Sequence, residues 1–116
     1  MKILKEQNKI ESAELKEMTK RMYENLVKAV VDIEKEIIAF DAEMHVDLEQ
    51  FLMEQENCEP KNLWGINLHP DFDNENFVEF DSMINLKPAL GNRTRGIDNL
   101  EIRNKIIDIV NKFVVK

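Results

Sequence analysis

The clearest periodicity in the chain lies at its end. After Asp98 and Asn99, Ile102, Ile106, Ile109 and Phe113 recur at three- and four-residue spacing, which predicts an amphipathic helix capped by an Asx side chain. A second helix is predicted over residues 12–24, with Ser12 as N-cap, Glu14 in the first turn and Leu15, Met18 and Met22 on one face. Between the two the period changes to two. Residues 77–86 (FVEFDSMINL) alternate, with Val78, Phe80, Ser82, Ile84 and Leu86 on one side and Phe77, Glu79, Asp81, Met83 and Asn85 on the other. The first set is apolar but for one hydroxyl and is expected to face a core. Residues 63–68 read as a strand stopped by Pro70, and residues 2–5 as a short edge strand. The polar run DFDNEN is a turn, and KPALGNRTRG is a loop.

Residues 26–45 support two readings. Leu26, Val30, Ile33, Ile37, Phe40 and Met44 fit a helical stripe, whereas the β-branched content and the alternation at Val27, Ala29, Val31 and Ile33 fit a hairpin turning at Glu34-Lys35-Glu36. That turn lacks the Gly or Asn that two-residue hairpin loops favour. Residues 47–60 are equally open between strand and helix as far as the breaker at Asn57–Pro60.

Composition narrows the class. The chain has 116 residues, 43% of them hydrophobic, enough for one domain with one core and no staples. A single cysteine, Cys58, permits no internal disulfide, and a reducing, cytoplasmic setting is the expectation. Cys58 sits in an acidic turn that should raise its thiol pKa and look mobile. The amino-terminal residues form no apolar leader and no run is long enough to span a membrane. The net charge is −7. Residues 1–60 carry 15 acidic and 8 basic side chains and residues 61–116 carry 8 of each, so the first half holds the whole excess. This balance opposes binding to nucleic acid and to anionic membranes. The six methionines lie at apolar positions and read as packing filler.

The segments VKAVVDIEKEIIAFDAEMHVD, LWGINLHP, EFDSMINLKP and GNRTRG, followed by the closing helix, run in that order over about residues 26–113. In them the chain resembles a family of small uncharacterised prokaryotic proteins, a domain of unknown function, whose members carry segments similar to GGELHAD, LWGINLYP and EFDSMINIRPSQGNRSRG. The resemblance brings no activity, cofactor or partner. It does imply a Gly-Gly pair where this chain has Asp41-Ala42, a poor helix interior and a natural strand bend, which tips residues 26–45 toward paired strands. The chain departs from that pattern at Asp41-Ala42 and again at Asn57-Cys58-Glu59, where the resemblance implies a Gly-Ser turn.

Three sets of residues carry candidate chemistry. In the loop 91–96, Gly91 and Gly96 allow close backbone approach, Arg93 and Arg95 suit bidentate grip of a phosphate or carboxylate, Asn92 and Lys87 add polar contacts, and the pocket is expected to lie near Trp64. The alternative is that these arginines pair with the chain's own abundant carboxylates, for example Asp32 or Glu43. His45-Val46-Asp47, if a strand, places an imidazole and a carboxylate on one face, as a general base with its orienting acid or as metal ligands completed by Asp81 or His69. Against this, H-x-D is short and common, and His69 before Pro70 reads as a solvent-exposed turn residue. Asp81-Ser82 lacks a nucleophile elbow, and Ser82 is expected to be a buried hydroxyl. Trp64 reads either as a stacking surface or as core.

The architecture expected is α+β: an antiparallel meander of four to five strands in a single domain, the first and last helices packed on one face. The other face would be exposed or would close a homodimer. The leading functional expectation is a non-catalytic binding or regulatory module with a small anionic ligand at Asn92, Arg93, Arg95, Lys87 and Trp64. No cofactor is expected. The second is a small hydrolase or metal-dependent enzyme using His45, Asp47 and Asp81, and a third is a structural partner in a larger assembly.

Overall fold

In the computed structural model, which describes residues 1–21, 23 and 25–116, the elements are β1 (Lys2–Leu4), β2 (Ile10–Glu11), α1 (Ser12–Thr19), β3 (Val27–Asp32), β4 (Ile37–Phe40), α2 (His45–Glu56), β5 (Leu63–Leu68), β6 (Val78–Glu79), α3 (Leu100–Phe113) and β7 (Val114–Val115). Five strands make one antiparallel sheet in the order β1-β4-β3-β5-β6. A small parallel pair, β2 with β7, ties the start of α1 to the end of α3.

The ambiguous stretch after Leu26 is therefore a hairpin, β3 to β4. Its turn has no Gly because Asp32 supplies the turn chemistry: Asp32 Oδ1 accepts from the backbone N–H groups of Glu34 at 2.8 Å and Lys35 at 2.9 Å. Glu36 then takes the left-handed conformation, with φ of 55°. Asp41 is also left-handed with φ of 72°. Asp tolerates that region better than most residues, and its carboxylate is held by Arg21 at 2.5 Å.

The sheet is not a plain meander. β3 lies in its middle, flanked by β4 and β5; α2 carries the chain from one to the other. Nor is its second face open. Leu48 and Leu52 of α2 pack there with Val30, Ile37, Ala39 and Leu63, so the face expected to be exposed or to close a homodimer is covered from within the chain. On the opposite face Leu15 and Met18 cluster with Val27, Ala29, Val31, Trp64, Ile66 and Leu68 and with Ile106, Ile109, Val110 and Phe113. Asn57 closes α2 in the left-handed conformation, φ 57°, a standard end for a helix. Cys58 behind it is buried rather than mobile, and burial, with Asp32 beside it, pushes its thiol up to about 12.

Other expectations shift. Helix α1 ends at Thr19; Met22 and Glu24, which the sequence pattern included, lie outside the described residues. In residues 77–86 only Val78 and Glu79 are strand. Beyond them the chain leaves the sheet and makes a 3-10 turn at Met83–Asn85, with Ser82 Oγ accepting from Ile84 N–H at 3.3 Å. Hence the two expected faces mix: Phe77 and Asn85 are buried, while Leu86 is exposed. Met44, Met53 and Met83 are exposed as well, so methionine is not confined to packing. Helix α3 begins as expected, Asn99 Oδ1 accepting from Glu101 N–H at 2.8 Å and Ile102 N–H at 3.2 Å. Among the described residues no helix is long and apolar enough to cross a membrane.

Candidate functional site

β6 covers only the Asn67-Leu68 end of β5. The open edge at Gly65 is met instead by a side chain. Asn85 Oδ1 accepts from Gly65 N–H at 2.8 Å, and Asn85 Nδ2 donates to Gly65 O and to Arg95 O, each at 2.9 Å. One carboxamide thus supplies the donor and acceptor that a neighbouring strand residue would have offered. Gly65 leaves room for the approach of Ser82: a Cβ there would lie 2.5 Å from Ser82 Cβ and Oγ.

Asn92 holds the following loop in the same way. Its Nδ2 donates to Asn85 O and Gly96 O at 2.7 Å, and its Oδ1 accepts from Asp98 N–H at 3.0 Å. Its backbone N–H and C=O pair with Lys87 at 3.1 and 2.8 Å. Buried and fully used, the Asn92 amide braces the loop and has no capacity left for a ligand.

The expected anion-gripping residues do not converge. Arg95 Nε donates to Asp81 Oδ1 at 2.7 Å, so this arginine does pair internally, though with Asp81 rather than with Asp32 or Glu43. Arg93 is exposed, and no ion pair forms to it among the described residues. Lys87 is half-buried, donates to Ile84 O at 3.0 Å and lies 5.1 Å over the Trp64 ring. Burial lowers its pKa, with Glu49 pulling the other way. Trp64 is core, 1% exposed.

His45 and Asp47 do not share a face, because the segment is a helix and residues two apart on a helix diverge. His45 opens α2, is buried, and its Nε2–H donates to Ile66 O at 2.8 Å. Burial is the main cause of its lowered pKa, so the ring is neutral near pH 7. Asp47 is exposed in the first turn of α2, and Asp81 is engaged by Arg95. Among the described residues no group of three or more His, Cys, Asp or Glu side chains is placed to hold a metal ion. His69 is not a free turn residue either: its Nε2 bonds Glu79 Oε1 at 3.0 Å, which also accepts from Asn67 Nδ2 at 3.0 Å. His69 is the first cause of the lowered Glu79 pKa.

Sequence spacing missed a cavity of about 260 Å³ between the loop and the start of α3. Trp64, Leu90, Gly91 and Asn92 border it on one side and Asp98 and Ile102 on the other. Neither Arg93, Arg95 nor Lys87 is part of its wall. The Trp64 indole N–H is buried and without a hydrogen-bond partner among the described residues. The available signal was the coincidence of the single Trp with a Gly-Asn turn; Asp98 and Ile102 read only as the start of a helix.

A family model described as "Protein of unknown function (DUF5674)" matches residues 2–113. No curated protein matches the chain, and no solved structure does.

Proposed function

We propose, for a chain that belongs to this DUF5674 family of proteins of unknown function, that it works as a non-catalytic small-ligand-binding module whose site is the cavity beneath the loop 91–96. One observation carries the reading: Trp64 and Asn92, both singled out in the sequence, border the same hollow. The bracing of the loop by Asn92 favours binding, since a wall already ordered loses little entropy when it is filled. At about 260 Å³ the hollow falls below the roughly 300–1,000 Å³ of drug-sized sites, which points to a small metabolite rather than a nucleotide.

Trp64 is the single tryptophan of the chain, so its fluorescence reports on this site alone. A panel of small polar metabolites is expected to contain members that change Trp64 emission in a saturable way and raise the melting temperature. A panel in which none does either overturns the reading. Binding is expected to survive in an Arg93→Ala/Arg95→Ala double variant, because neither arginine borders the hollow.

A further inference from the structure

The charge on the wall of this cavity is opposite to the one the loop's arginines suggest. Asp98 borders it, and its side chain makes no hydrogen bond or ion pair among the described residues. Its position is nevertheless set, because its backbone N–H is tied to Asn92 Oδ1 at 3.0 Å. Of the basic groups near it in sequence, Arg93 is exposed and does not border the cavity, and the others are occupied elsewhere. Arg95 is on Asp81, Arg103 Nε donates to Ile97 O, and Lys87 is on Ile84 O. The N-terminal end of α3 offers no anion hole, since Asn99 Oδ1 already accepts from Glu101 and Ile102 N–H, and Arg103 N–H bonds Asn99 O. What remains is a carboxylate with no partner among the described residues and an apolar wall from Leu90, Ile102 and Trp64.

We infer that the ligand of this cavity is a small organic amine, its ammonium group set against the Asp98 carboxylate and its carbon chain lying along Leu90, Ile102 and the Trp64 side chain. The inference rests on the cavity being the binding site and adds the charge and functional groups of what binds. A carboxylate or phosphate would meet Asp98 as a like charge, with no cation on the wall to offset it.

Three probes of one skeleton separate the possibilities: 4-amino-1-butanol, 1,4-butanediol and 4-hydroxybutyrate, titrated against the wild type and an Asp98→Asn variant by Trp64 fluorescence and calorimetry. The amine is expected to bind about fivefold or more tightly than the diol, and the carboxylate weakest, the margin being that of one partly solvated ion pair. Asp98→Asn should bring the amine level with the diol, and added salt should weaken the amine alone. Because Asp98 is exposed, the variant is expected to keep its melting temperature, so a loss of binding is not a loss of fold. A carboxylate that binds as well as the amine, or an amine unaffected by Asp98→Asn, overturns the charge assignment and leaves the cavity reading standing. Failure of all three probes overturns the amine proposal, and the broader metabolite panel then decides the cavity reading by itself.

Discussion

Two buried carboxamides carry more of this fold than its arginines do. If Asn85 becomes alanine, Gly65 N–H, Gly65 O and Arg95 O lose their partner in the interior. Orphaned buried polar groups cost about 1–3 kcal/mol each, so Asn85→Ala is expected to cost about 3 kcal/mol or more. The Arg95–Asp81 pair looks stronger on paper, at 2.7 Å, but its side chains are 56% and 44% exposed. Solvent screening limits such a pair, and Arg95→Ala should cost about 1 kcal/mol or less. Urea unfolding of the two variants side by side checks the ranking; equal costs would refute it. Gly65 makes a second test of the same corner. A methyl group there would sit 2.5 Å from Ser82 Cβ and Oγ, so Gly65→Ala should cost about 1–3 kcal/mol by overpacking. Ser82→Gly removes both clashing atoms, and in that background the cost of Gly65→Ala should shrink; an undiminished cost would mean the strain lies elsewhere.

At the scale of elements, what the sequence made legible depended on whether the determining interactions were local. Helix α3 was plain because Ile106, Ile109 and Phe113 form a stripe and Asn99 caps it. The β3–β4 hairpin was legible only as one of two patterns, because its turn is made by Asp32 reaching forward rather than by a Gly. Helix α2 was hidden: of its residues only His45, Leu48 and Leu52 are buried, too thin a stripe to outweigh the alternation around it. The strand expected over residues 77–86 failed for a nonlocal reason, since the partner of Gly65 is the side chain of Asn85 and not a backbone. Likewise the loop 91–96 stood out by composition, but spacing cannot tell whether an amide turns inward or outward, and Asn92 turns inward. The docking of α2 is open to a pH test. His45 joins the start of α2 to β5 through Ile66 O; burial lowers its pKa most, Lys28 and Arg95 lower it further, and Ile66 and Asp81 act against them. The folded value therefore lies below the 6.5 of an unperturbed ring. Between the two values the unfolded chain binds more protons, so the contribution is complete above pH 6.5 and is lost as pH falls toward the folded value. The urea midpoint should drop between about pH 7.5 and 5.5, on either side of the His reference value, and should drop less in His45→Gln. Equal drops in the two proteins would dissociate His45 from the effect.

For the whole molecule, the question of self-association turns on which surfaces are left without cover. A one-sided sheet would need a second copy, but here α1 and α3 residues share the core on one face and α2 residues on the other. The sheet edges are short: β1 has three residues and β6 two. Short edges that the chain soon leaves are poor templates for edge-to-edge pairing, and Lys2 on β1 is engaged by Glu14 at 2.6 Å. Charge works in the same direction. The net charge of −7 makes two copies repel, most strongly where residues 1–60 would meet their equals. Against these terms stand exposed apolar side chains such as Met44, Val46 and Leu90, which single-chain proteins carry routinely. The balance favours the monomer, and sedimentation equilibrium is expected to return a mass near 13.7 kDa that does not rise with concentration or fall with salt. Should a dimer mass appear and strengthen in salt, screening would be exposing an apolar contact that outweighs the repulsion, and the two-sided cover of the sheet would no longer account for the solution state.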